Sequence, residues 1–192
     1  DWLVDDANPL TARVAVNRIW QHVFGQGLVE TPDNFGHMGK RPSHPALLDW
    51  LASRLKTNNW SIKETIRDIV LSRTYRLSCS HSAKNNELDP TNNFLWRAPI
   101  KRLDAESLRD AMLHVSGELE LTPPDGSVIA SFNDREFNDR VHPSAEQLSS
   151  THRSVYLPIA RYWVPDMLHE FDFADPSLVV GKRTERTMAS QS

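Results

Sequence analysis

The stretch Asn8-Pro9-Leu10-Thr11-Ala12-Arg13-Val14-Ala15-Val16-Asn17-Arg18-Ile19-Trp20-Gln21-His22 decides how the rest of the chain is read. Asn8 is a cap-type residue, and Pro9 suits a first helical turn, where a missing N–H costs nothing. Ala12, Val16, Ile19, Trp20 and Val23 follow at helical spacing and form one apolar stripe. Gly25 and Gly27 close the segment, since glycine takes the left-handed conformation at a helix end without steric cost. A helix with one apolar stripe needs surfaces to pack on, and the downstream sequence supplies them.

Pro32 to Pro42 reads as a loop punctuated by Gly36 and Gly39. Ser43-His44-Pro45 opens a second helix, in which Leu47, Leu48, Trp50, Leu51 and Leu55 cover much of the circumference; the pattern predicts burial between neighbours. Asn58-Asn59 breaks it. Ser61-Ile62-Lys63-Glu64 matches a capping box and starts a third helix, with Ile62, Ile66, Ile69 and Val70 as its stripe, running to about Tyr75. Ser78 to Asn93 is polar and loop-like, with Asp89-Pro90 as the start of a short helical turn. A fourth helix is predicted from Asp104 to Ser116. Ala105, Leu108, Ala111, Met112 and Val115 share one of its faces, and Arg102, Glu106, Arg109 and Asp110 gather opposite.

From Thr122 to Thr151 the pattern fades into a variable excursion, apart from Val128-Ile129 and Phe132 as a short strand. Ser154-Val155-Tyr156-Leu157, ended by Pro158, is the best strand candidate. Pro165 to Phe171 reads as one more helical turn. The expected fold is therefore mainly α: a multi-helix globular domain with a minor β element near Val155. Residues 1–192 read as a single domain, and both ends read as cuts within a longer protein.

Composition narrows the function classes. The chain has 192 residues and a net charge of −3, which argues against a nucleic-acid binder held by phosphate contacts. No apolar run approaches the roughly 20 residues that span a bilayer. A single cysteine, Cys79, rules out an internal disulfide, a four-thiolate zinc site and the C-x-x-C-H haem attachment motif within these residues.

Several strings resemble a planctomycete-type domain of unknown function, sometimes called planctomycete-specific domain one. They are Asn8 to His22, Ser43 to Ala52, Ile69 to Arg76, Arg102 to Met112, Arg153 to Pro158 and Phe171 to Ser177, in family order. The chain departs from a full member at its C-terminus and over Thr122 to Thr151. The family has no assigned activity. The resemblance implies a C-terminal domain of exported multidomain proteins, partnered by a second domain of unknown function. Cytochrome-c-like domains, and sometimes carbohydrate-binding or lectin-like modules, lie upstream. Extracytoplasmic location, contacts with other domains of the same polypeptide and haem c in upstream domains are what it implies. No cofactor is expected in this chain.

The candidate ligand-binding residues are Arg13, Asn17, Trp96, Arg102, Glu106, Arg109 and Asp110. The polar face of the fourth helix would hold an anionic or sugar ligand; surface ion pairing is the simpler account of it. Arg13 and Asn17 sit at the edge of the first stripe, and a structural pair of Arg13 with Glu106 or Asp110 competes with a pocket role. Trp96, followed by Arg97, is the tryptophan best placed to meet a ligand, since Trp20 and Trp50 fall on core stripes, while Trp60 and Trp163 lack such a context. Eight histidines, among them His37, His44, His142 and His152, show no metal-ligand spacing, and no metal site is expected. Glu170, Asp172 and Asp175 form an acidic cluster whose glycosidase-like reading competes with plain turn chemistry. Two functions follow: a non-catalytic assembly or ligand-binding module, with glycan as a candidate ligand; or, as the alternative, part of an exported redox-linked or polysaccharide-active enzyme whose chemistry depends on upstream domains.

Overall fold

The computed structural model describes residues 2–5, 7–127, 149–159, 164–183 and 186. Among these it is mainly helical: α1 Leu10–Phe24, α2 Pro45–Thr57, α3 Ile62–Val70, α4 Ala83–Leu88, α5 Ala105–Ser116 and α6 Asp166–Glu170. The chain divides into two compact units, 1–101 and 102–192.

In the first unit α1 packs on α2 and α3. Ala12, Val16, Trp20 and Phe24 of α1 are buried with Leu48, Leu51, Ala52 and Leu55 of α2 and Ile69 of α3. Burying each large aliphatic side chain stabilises by roughly 1.5–3 kcal/mol, so this seam is the main hydrophobic contribution in the unit. Trp50 departs from its expected core position: it is 55% exposed, on the side of α2 away from the seam. The α1 entry is built as predicted, one residue out of step. Asn8 accepts from the Leu10 amide at 2.9 Å and donates to Thr11 Oγ1 at 3.1 Å. Gly25 closes α1 at φ 83°. Ser61 caps α3 by accepting from the Glu64 amide. That helix ends at Val70, short of Tyr75, where the Ser72 amide bonds back to Ile69 and the Ser72 hydroxyl accepts from Tyr75. The polar stretch after Ser78 contains α4, capped by Ser82 and with no buried residue. Such a helix leaves no apolar stripe for a sequence to reveal.

A buried amide ties α1 to the turn after it. Asn17 is fully buried; its Oδ1 accepts from the Val29 amide at 2.8 Å, and its Nδ2 donates to the Val29 carbonyl at 3.1 Å. Gly27 lies between them: a Cβ there would stand 2.6 Å from the Val29 oxygen and 2.8 Å from Asn17 Nδ2. The close approach of backbone to Asn17 therefore requires glycine.

In the second unit a small core of Ala105, Leu157 and Leu168 is flanked by Ile159, Val164, Phe171 and Phe173. Ser154–Tyr156 forms a 3-10 turn rather than the strand expected near Val155. The Ser154 amide donates to Asp110 and the Tyr156 amide to Arg153, so the backbone is spoken for before a neighbouring strand could pair with it. Pairing of β type is confined, among the described residues, to an isolated bridge between Glu120 and His152. The strand expected at Val128-Ile129 and Phe132 lies outside the described residues.

Replacing Asn17 by Ala leaves both Val29 groups buried without partners. The expected cost is about 2–4 kcal/mol, read as a lower urea midpoint at unchanged slope; a loss under about 0.5 kcal/mol would contradict the role given to this amide.

A candidate binding cavity in the first unit

The candidate residues of α5 turn out to be consumed by their own chain. Glu106 receives a two-pronged pair from Arg183 at 2.6 and 2.7 Å, and the Arg183 guanidinium also lies 4.7 Å from the Phe173 ring centroid. The Glu106 hydrogen bonds, opposed by burial, push Arg183 above its ordinary value. Arg109 donates to the carbonyls of His152 and Ser150 and to Ser154 Oγ. Burial pulls Arg109 below its ordinary value while Asp110 resists. Asp110 accepts from the Ser154 amide at 2.7 Å. Arg102, which precedes the helix, donates to Asp172 and to the Arg186 carbonyl, and Asp172 accepts in turn from the Arg186 amide. The face thus works as a row of clamps on residues 150–154, 172–173, 183 and 186. The apolar stripe of this helix is mostly open: Ala111, Met112 and Val115 are exposed, Leu108 is half-buried and Ala105 is buried.

Arg13 pairs with Asp49 at 2.6 Å, so its carboxylate comes from α2 and not from Glu106 or Asp110. The Arg13 hydrogen bond holds Asp49 below the usual carboxylate range against a smaller effect of burial. Asn17 is spent on Val29. The acidic cluster is likewise engaged: Asp172 as above, and Asp175 as acceptor from the Ser177 amide and hydroxyl. His44 precedes α2 with Nδ1 3.0 Å from Ser43 Oγ and its ring edge toward Phe94. His37 is exposed. Among the described residues no three His, Cys, Asp or Glu stand close enough to hold a metal. Trp163 and His142 lie outside the described residues.

The open space is elsewhere. A cavity of about 250 Å³ lies between the end of α1 and the loop 90–100. Its floor is Trp20 and Phe24, stacked at 4.2 Å, with Gly27 and Leu28 beside them. Its opposite wall is residues 90–93 with Leu95 and Arg97, and Ser43 and Gln26 add polar atoms. The wall is held by side chains bonding to backbone. Asp89 is buried, and its carboxylate accepts from the amides of Asn93 and Phe94 at 2.8 and 2.7 Å and from the Thr91 hydroxyl. Burial pushes Asp89 up, but those amides and that hydroxyl together outweigh it and hold the carboxyl below its usual range. Asn92, at φ 55°, clasps both backbone groups of Arg97. Asn and Asp tolerate such left-handed positions better than most residues. Trp96 donates its indole N–H to the Asp89 carbonyl at 3.0 Å. Trp96 is thus a pin for the wall, and the Arg97 beside it lines the cavity with its guanidinium 4.9 Å from the Trp96 ring centroid. Lys101 donates to the His22 carbonyl and closes the far end of the loop on α1.

Sequence periodicity missed Asp89, Asn92, Asn93 and Arg97. The signal that would have found them is Asp89-Pro90 followed by Asn92-Asn93, residues whose short polar side chains bond nearby backbone.

Helices around an apolar core, with a cavity walled by a self-bonded loop in the first unit and arginine clamps in the second, make this a mainly helical protein. The chain belongs to the PSD1 family, protein of unknown function (DUF1553), whose family model matches residues 1–192. This is the planctomycete-type domain that the sequence resembles. No curated protein and no solved structure matches the chain. Among the described residues no helix is long and apolar enough to cross a membrane.

Two outcomes follow. Arg109→Ala should cost about 3 kcal/mol in thermal or urea unfolding, because three acceptors lose a partly buried donor; Arg109→Lys should restore under half of it, since one ammonium does not reproduce the guanidinium fork. Full restoration by lysine would reduce Arg109 to a simple charge. The second concerns acid. Asp89 has a folded value below its unfolded one, so its contribution is complete above the unfolded value of about 4 and is lost as pH falls through the folded value. The stability gap between the natural chain and Asp89→Ala should therefore narrow between pH 5 and pH 2. A gap that stays constant with pH would contradict the carboxylate's role.

Proposed function

We propose that the chain is a non-catalytic ligand-binding module of an exported multidomain protein. The observation that carries this reading is the preformed cavity of the first unit, whose wall is fixed by Asp89 and Asn92 before any ligand arrives. Rigid polar walls over an apolar floor are the usual form of a small-molecule site, because little ordering remains to be done on binding. At about 250 Å³ the space is smaller than the roughly 300–1,000 Å³ of drug-sized sites, which favours a ligand the size of a single sugar ring. The family resemblance supports the setting: an extracytoplasmic location, other domains of the same polypeptide as neighbours, and haem c carried by upstream cytochrome-c-like domains and not by this one. Glycans are the ligand class that best joins that setting to the cavity.

The test uses saturation-transfer NMR on a panel of monosaccharides. At least one should receive saturation with a dissociation constant of about 0.1–1 mM, equivalent to roughly −4 to −5.5 kcal/mol, and be recovered chemically unchanged. Asn93 lines the cavity and is exposed, so Asn93→Trp should plug it and abolish the transfer while the melting temperature stays within a few degrees. Transfer that survives the plug, or conversion of the sugar, would overturn the reading.

A further inference from the structure

The charge inventory of the cavity narrows its ligand. We propose, resting on the reading of this cavity as a binding site, that it takes a sugar ring bearing one carboxylate, a uronic acid, with Arg97 as the carboxylate's partner. Arg97 is half-buried, lines the space, and among the described residues has no carboxylate within 4.0 Å; what touches its guanidinium is the Trp96 ring. Other arginines are matched, Arg13 by Asp49, Arg54 by Asp68 and Arg183 by Glu106, and those without a carboxylate within 4.0 Å among the described residues, Arg41, Arg67, Arg73 and Arg76, are exposed where Arg97 is half-buried. A half-buried cation stacked on an aromatic ring keeps its edge N–H groups for an acceptor, and a carboxylate meets that fork with two parallel bonds. No acidic residue lines the cavity to supply the anion from within.

The lining carries one positive charge, since its remaining members are neutral. One arginine matches a monoanion better than a phosphate dianion, which sites of this kind usually meet with several cations or a helix N-terminus. The neutral polar groups, Ser43, Thr91 and Asn93, are the donors and acceptors that ring hydroxyls require. Leu95 and Ile100 supply accessible apolar lining for the C–H face of a sugar, with the nearly buried Trp20 and Phe24 behind it. Carboxylate, hydroxyls and one apolar face on a single ring describe a uronic acid, whether free or at the end of an acidic polysaccharide.

Titrating the full chain by NMR with glucuronate, galacturonate, glucose, galactose, acetate and inorganic phosphate separates the possibilities, and a short oligogalacturonide distinguishes a free sugar from a chain end. At least one uronate should bind ten-fold or more tightly than its neutral counterpart, and more tightly than acetate or phosphate. Raising the salt concentration should erode the preference. Arg97→Gln should bring the uronate down to the level of the neutral sugar, and Arg97→Lys should keep part of the preference, which guards against a variant that merely fails to fold. Equal binding of acid and neutral sugars overturns the carboxylate assignment while the cavity reading survives. Phosphate binding tighter than either uronate, or a preference untouched by Arg97→Gln, also overturns it. Failure of every probe, with no response to Asn93→Trp, overturns the cavity reading itself.

Discussion

A buried amide side chain has to find partners for both its ends, and Asn17 finds them on one residue. Its carbonyl and its amino group bond the N–H and C=O of Val29, so α1 is joined to the bend that follows it at a fixed distance. That distance forces glycine at position 27 and holds Leu28 and Val29 against Trp20 and Phe24. The floor of the cavity is therefore set by a polar constraint inside an apolar seam. Leaving such a group half-satisfied costs more than making its bonds gains, which is why one asparagine governs so much of the unit.

The loop opposite obeys the same logic. Asp89 and Asn92 use short side chains to bond backbone a few residues on, replacing the partners that a helix or sheet would have supplied. The second unit solves its own shortage differently. With three buried apolar residues at its centre among those described, it relies on Arg109, Asp110, Glu106 and Arg102 to hold its segments. Arg109 is the strongest of these on physical grounds, since its side chain is largely buried and engages three acceptors. The Glu106–Arg183 pair is more exposed and correspondingly more screened.

Local signals were legible. The stripe of α1, the αL glycine at 25 and the Ser61 cap follow from spacing and residue type alone, because the physics behind them spans four residues or fewer. What periodicity cannot say is how much of a helix face meets the core: α5 shows a clear apolar stripe, yet past Ala105 and Leu108 it is exposed, while Arg109 and Asp110 are largely covered. Nor does it reveal partners far away in sequence, such as Arg13 with Asp49 or Arg109 with residues 150–154. The β propensity of Ser154 to Leu157 lost to one tertiary hydrogen bond, from the Ser154 amide to Asp110, and one local turn bond, from Tyr156 to Arg153. The cavity was invisible for the same reason as α4: its residues are polar, turn-like and aperiodic, and Arg97 acquires meaning only once the neighbouring carboxylates are seen to be spoken for.

The central claim is that the cavity exists before its ligand and is the place where a ligand sits. Crystals of the chain grown alone and then soaked in glucuronate test it most directly. The account predicts sugar density in the cavity with its carboxylate within hydrogen-bonding distance of Arg97, and a backbone over residues 89–97 that superposes on the unsoaked form. Density on another surface, or a loop that must open before the sugar enters, would contradict it.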